Sequence, residues 1–262
     1  PDEDIVKFIP LLRERSRDLF AGVHLATGAI KTISTNVVGA GLRPNAQIDF
    51  EFLGLTDEEA DQWELKAERE FALWAENPNC DATRLNNFYE MQYLAFMSVL
   101  MSGDVFATLP IIPRVNAPYD LRVELIEADY VCSPRVVDST KNILEGVEVG
   151  DWGDPLAYYI AKYHPKSSKA MQNTWKRIPA YGAKTGRRNV LHLLTMERPN
   201  QRRGVPLLSP VIETLKQLGR YTDAELTAAV ISGMFSVFIK TEDPQNPLGE
   251  SAIPYSDQID TQ

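Results

Sequence analysis

Residues 198–239 decide the architecture: Arg198-Pro199-Asn200-Gln201-Arg202-Arg203-Gly204-Val205-Pro206, a turn-rich lead, feeds the longest periodic element of the chain, Leu207 to Ile239. In that element Leu208, Val211, Leu215 and Leu218 continue, after a one-residue slip, as Tyr221, Ala224, Ala228, Ile231, Phe235 and Phe238. Spacings of three and four residues keep apolar side chains on one helical stripe. A continuous helix there would be about 50 Å long at ~1.5 Å per residue, with Pro210 tolerated in its first turn and Gly219 inviting a bend. A helix of that length in a chain of 262 residues projects from a body or joins two parts.

Upstream, the pattern changes twice. Val105 to Val115, Leu121 to Ile126, Val147 to Tyr163 and Val190 to Leu194 are short β-type runs, and Asp151-Trp152-Gly153-Asp154-Pro155 reads as the turn between two paired strands. Before them, Thr56 and Glu59 have capping-box spacing, and Ala60, Trp63, Ala67, Phe71 and Trp74 mark an amphipathic helix ending near Pro78, with its acids mostly on the wet face. A second helix is expected from about Asp81 to Ser102, stopped by Gly103. Residues 241–262, with Pro244, Pro247 and Pro254, read as loop. The expected class is α+β: a mixed α/β body with a long projecting helix.

Net charge is −9, unevenly placed. Thr56 to Asn77 carries eight acids against Lys66 and Arg69, whereas Lys162 to Arg203 carries eleven basic residues against Glu197 alone. Phosphate binding over a broad surface requires clustered Lys and Arg, so general acidity argues against a protein that grips nucleic acid. Within the basic block, Lys184, Arg187 and Arg188 are candidates for a subunit or DNA contact. Cys80 and Cys132 are too isolated for a disulfide framework or a metal knuckle. Tyr93 to Met101, the longest apolar stretch, is far short of a bilayer span, so no membrane partner is expected.

Motifs for chemistry are thin. His24, His164 and His192 belong to no HExxH or Cys/His cluster. Lys184-Thr185 lacks the glycines of a phosphate-binding loop, since Ala183 and Ile178 stand nearest those positions. Ser98 and Ser209 lie in no GxSxG context. No catalytic residue, cofactor or metal is expected.

Two stretches carry a family resemblance. Thr35-Asn36-Val37-Val38-Gly39-Ala40-Gly41-Leu42-Arg43-Pro44 resembles the NVVGxG segment of lambda-type phage portal proteins, its glycines suiting a sharp exit from a helix into a strand. Arg198 to Pro206, leading to Ser209-Pro210-Val211 and then Tyr221-Thr222-Asp223-Ala224-Glu225-Leu226, is similar to that family's RPGQxRGVPxLAPV and YxDAEL signature. The signature residues are Arg198, Pro199, Gln201, Arg203, Gly204, Pro206, Asp223 and Glu225. Asn200 replaces a usual Gly, Tyr130 stands where an Arg often follows the Asp, and Val230 takes a usual Lys position.

The resemblance implies a portal-protein fold, incomplete at its C-terminal side: residues 1–204 a wing domain, 205–240 a stem helix, and 241–262 a loop entering the clip. It implies a dodecameric homo-oligomeric ring at one capsid vertex that passes double-stranded DNA non-specifically during packaging and ejection. Terminase, capsid and head–tail connector proteins would be its partners, the virion and the host cytoplasm its locations. Ala224, Ala228, Ile231, Phe235 and Phe238 would pack in the stem. The alternatives are a nuclease-like DNA-processing enzyme, which should show a carboxylate cluster for a metal, and a small head–tail adaptor.

Overall fold

The structure, a computed structural model, describes residues 2–136 and 141–234. Phe235, Phe238 and the expected loop 241–262 lie outside the described residues. The chain divides into two units, Pro1–Gln217 and Leu218–Gln262.

The first unit opens with helices α1 (Asp2–Ile5), α2 (Ile9–Gly22) and α3 (His24–Val37). Helix α2 buries Ile9, Arg13, Ser16 and Leu19, a stripe at helical spacing with a charged residue in the middle of it. After α3 the chain leaves the helix through Gly39 and Gly41, both at positive φ. The expected strand does not form there: residues 41–49 run without regular structure. This segment is pinned from α5 (Asp57–Ala75), where Glu68 and Glu64, one turn apart, accept the backbone N–H groups of Ala46 (2.9 Å) and Ile48 (2.8 Å). Two acids of the supposedly wet face thus hold backbone. The short α4 (Phe50–Leu53) stands between, capped by Asp49.

Helix α5 begins as its spacing predicts: Thr56 accepts from the Glu59 N–H, and Glu59 reaches back to the Thr56 N–H. The next helix is shorter than expected. Asp81 turns the chain instead of starting a helix, its carboxylate accepting the N–H groups of Thr83 (2.8 Å), Leu85 (3.1 Å) and Asn86 (3.1 Å). A local acceptor competes with helix formation in this way. Helix α6 (Phe88–Ser102) starts seven residues later under an Asn87–Glu90 capping box and ends at Gly103.

Strand β1 (Asp104–Thr108) pairs antiparallel with β2 (Glu124–Glu127) on one side and β7 (Val190–Leu194) on the other. A second antiparallel sheet runs β3 (Ile143–Leu144), β4 (Val147–Val149), β5 (Pro155–Ala161) and β6 (Trp175–Pro179). Strand β6 carried no alternation strong enough to be expected. The sheets pack face to face through Phe106, Ile126 and Val190 against Val147, Val149 and Tyr158. Ala107 and Val123, on the opposite side of the first sheet, meet Met91 of α6 and Cys80. All of β1 is therefore buried. Leu19, Ile30 and Leu100 of α2, α3 and α6 form a third cluster with Leu208 and Ile212. Ile212 is the first residue of α7 (Ile212–Met234), which follows a 3-10 turn at Ser209–Val211 rather than starting at Leu207.

In the second unit, the described residues continue α7, and Tyr221, Ala224, Ala228 and Ile231 of the expected seam are exposed. Among the described residues no helix is long and apolar enough to cross a membrane. The α+β class is observed.

Candidate functional site

The densest polar constellation lies where α2, the start of β1, β7 and the loop ahead of α7 converge. Asp104, fully buried, is its centre. Arg13 Nη2 donates to Asp104 Oδ1 at 2.7 Å, and Arg203 Nε donates to Oδ2 at 2.6 Å. The Gly204 N–H and His192 Nε2 also reach Oδ2, each at 3.2 Å. Arg203 Nη2 also reaches Asp104 Oδ1 at 3.4 Å, and its other donors go to backbone carbonyls: Ala128 at 2.7 Å, Val131 at 2.8 Å, and Glu145. Its guanidinium lies 5.2 Å from the Phe106 ring centroid, and the His192 ring stacks on that same ring at 4.1 Å. One arginine ties β1, both sheets' connecting turns and the approach to α7 into a single contact set.

A second carboxylate flanks the first. Asp129 takes Arg13 Nη1 at 3.4 Å, Arg17 Nη2 at 2.5 Å and His164 Nε2 at 3.3 Å, and Arg17 also holds Glu127 at 2.8 Å. At the core, Arg13 and Arg203 balance Asp104 and Asp129. A buried charge is tolerated only with such pairing and saturated hydrogen bonding.

The protonation states follow. Burial alone would raise the Asp104 carboxyl, but the Arg203 and Arg13 guanidiniums override it and hold the group far below the usual carboxylate range. Asp129 is likewise depressed, burial opposing and the Arg17 hydrogen bond and charge prevailing. Burial lowers His192 in spite of Asp104, so the ring is neutral at pH 7 and donates its Nε2 proton. Burial and the neighbouring Arg203 pull Arg13 down to about 10, which leaves it charged.

The loop that delivers Arg203 is itself locked. Gln201, buried, accepts the N–H groups of Glu197 (3.0 Å) and Arg198 (3.2 Å) and donates to the Arg203 carbonyl at 2.8 Å. Gly204 presses backbone to backbone on Gly103, where an added Cβ would stand 1.9 Å from the Gly103 carbonyl oxygen. Pro206 is fully buried.

Against these features stand the comparisons with known proteins. The family model described as phage portal protein, lambda family, matches residues 1–261. The chain belongs to that family. Similar curated proteins include portal protein B of Escherichia phage lambda, 22% identical over 232 residues, and the portal protein of Escherichia phage N15, 22% identical over 230 residues. The probable portal protein of Halomonas phage phiHAP-1 is 25% identical over 241 residues. Each match covers 87% of this chain and 42 to 43% of the relative, so the chain spans less than half the length of these portal proteins. A chain from the neck of an empty GTA particle, computed with C6 symmetry, superposes at a TM-score of 0.45 with 13% identity, covering 88% of this chain and 50% of that one.

In this portal-family chain the signature residues separate into two groups. Gln201, Arg203, Gly204 and Pro206 converge in the interior. Arg198 and Pro199 are exposed, with Arg198 paired to Asp4 at 3.3 Å. Asp223 and Glu225 belong to the second unit and are exposed on α7. Counting Arg203 with a basic surface block is corrected: its side chain is wholly enclosed. Lys184, Arg187 and Arg188 do lie on the surface, in and beside the turn between β6 and β7. Sequence reasoning missed Arg13, Asp104, Asp129 and His192. The available signal was Arg13 on the buried stripe of α2, between Ile9 and Ser16.

A separate apolar groove of about 980 Å³ opens beside α5, α6 and the first sheet. Phe71, Trp74 and Phe88 line it with ring centroids 5.0 to 5.6 Å apart, and Tyr119 hydrogen-bonds Glu70 at its wall.

Proposed function

We propose that the chain forms the wing and stem portion of a portal subunit, and that rings of such subunits conduct double-stranded DNA into and out of the capsid. Terminase, capsid and head–tail connector proteins would dock on the ring, and the virion would be its final location. The family match along residues 1–261 carries this reading. Charge supports it: a net −9 chain repels phosphate, and a conduit that neutralised many phosphates would hold its cargo instead of letting it slide.

The hub supports a structural role over a nuclease. Metal-dependent phosphodiester cleavage needs carboxylates with uncompensated charge facing a cation. Asp104 and Asp129 are instead neutralised by Arg13, Arg17 and Arg203. Among the described residues no group of three His, Cys, Asp or Glu side chains is placed to hold a metal.

The test is electron microscopy and mass photometry of the purified full-length protein, with a plasmid cleavage assay in Mg²⁺ and Mn²⁺. Closed rings with an open central channel and intact DNA are expected. Monomers that never form rings, or cleavage abolished by a single carboxylate substitution, would overturn the reading.

A further inference from the structure

Two surface patches of opposite charge lie on the first unit. One spans residues 49–61, Asp49 to Asp61, and holds six acids and no Lys or Arg. Asp49 and Glu59 are used as helix caps, whereas Glu51, Asp57, Glu58 and Asp61 are exposed and form no salt bridge among the described residues. Apolar side chains stand among them: Phe52 is 85% exposed, and Leu53 and Leu55 are also open to solvent. The other patch spans residues 175–189, with five basic residues and no acid. Arg177 is held by Glu148 at 2.7 Å, while Lys176, Lys184, Arg187 and Arg188 are exposed and unpaired among the described residues. Tyr181, exposed, carries Arg188 over its ring at 5.4 Å.

We propose that these patches bind each other between two copies of the chain, the acidic Asp49–Asp61 knob of one copy seating on the basic β6–β7 turn of the next. Four available acids face four available bases, and each side adds apolar area: Phe52 with Leu53 on one, Tyr181 on the other. No ion pair joins the patches within one chain among the described residues, so each is open to a neighbour. Contact between two different surfaces of one chain is heterologous, and where its rotation closes it forms a ring. Charge complementarity of this kind sets register and rejects wrong pairings. The inference rests on the ring reading above and adds which surfaces meet. Glu64 and Glu68 take no part, because the backbone of residues 46 and 48 occupies them.

The experiment uses two full-length variants: Glu58→Lys with Asp61→Lys, and Arg187→Glu with Arg188→Glu. Alone, each cancels the net charge of the four available groups on one patch and sets two like-charged side chains into every contact, so ring yield at about 50 mM NaCl should fall about tenfold or more, since like-charge juxtaposition costs several kcal/mol. Mixed in equal amounts, the lysine knob of one variant meets the glutamate turn of the other, and the two unaltered patches meet as well. Rings should then reappear with alternating subunits, visible by differential mass labelling. Both variants forming normal rings alone would overturn the pairing and leave the ring reading intact. Loss of rings alone with no recovery on mixing would also overturn it. Wild-type protein that forms no ring would remove the reading on which the pairing rests.

Discussion

Asp104→Asn is the most informative single change, because it preserves shape and removes one charge. The native carboxylate accepts from Arg13, Arg203, the Gly204 N–H and His192 in a site with no solvent exposure. Asparagine would turn an NH₂ toward donors, leave Arg13 with Asp129 at 3.4 Å as its remaining carboxylate, and leave Arg203 with no carboxylate among the described residues. Breaking a buried ion pair from one side costs about 3–5 kcal/mol, and two cations share this anion, so a loss near the upper end is expected. For a unit of this size, a loss of about 5 kcal/mol corresponds to a Tm drop of roughly 10–20 °C. The assay is urea denaturation followed by tryptophan fluorescence, with Arg17→Met as comparison. Arg17 pairs at the rim with a partly exposed side chain, so its loss should cost only about 1 kcal/mol. An Asp104→Asn loss below about 1 kcal/mol, or one equal to that of Arg17→Met, would refute the claim that the hub holds the two sheets and α2 together.

Acidification should act through the same groups: His192 is depressed in the folded state, so stability present above its unfolded pKa of about 6.5 is lost as pH falls toward the folded value, and Asp104 adds a loss of the same sign below about pH 4. In urea titrations across pH 7 to 5, His192→Gln should flatten the decline; an unchanged slope would show that His192 is not its source. Gly204→Ala should yield unfolded or insoluble protein, since the new Cβ meets backbone that cannot turn aside, whereas Gly219→Ala, with open space and a helical position, should stabilise by up to about 1 kcal/mol; thermal melts of both check this. Ile231, 50% exposed, lies on the face expected to pack in the ring's stem, so Ile231→Asp should leave the subunit folded yet block ring formation in mass photometry, with Thr227→Asp much milder.

Features fixed by neighbours in sequence were legible. The Thr56–Glu59 box, the turn at Asp151–Pro155 and the strand Val190–Leu194 each depend on residues within a few positions, and each stands where its spacing put it. The start of α6 was misplaced because an Asp side chain can cap or turn, and only the fold decides which N–H groups it meets. The hub was illegible for a different reason: Arg203 and Asp104 are 99 positions apart, and Arg13 and Asp104 are 91 apart. An arginine in a basic stretch reads as surface until its acid is known. The resemblance singled out Arg203 and Gly204 as letters of a signature without giving their partners, and the fold supplies those partners: Asp104 for the one, the Gly103 backbone for the other.

Arg203 also sets an order of events during synthesis. The ribosome releases residues 13 and 104 long before residue 203, yet the two sheets close over a carboxylate that needs both arginines. Until Arg203 emerges, Asp104 has half its cationic complement, the carbonyls of Ala128 and Val131 lack their donor, and Gly103 has no chain packed on its backbone. A body without Arg203 therefore carries an under-neutralised buried carboxylate, and long-range closure of this kind is slow. It is completed by the segment that leads directly into α7, whose first residue, Ile212, packs with Leu208 against Leu19, Ile30 and Leu100, so the same stretch of chain that neutralises Asp104 also finishes the helical core.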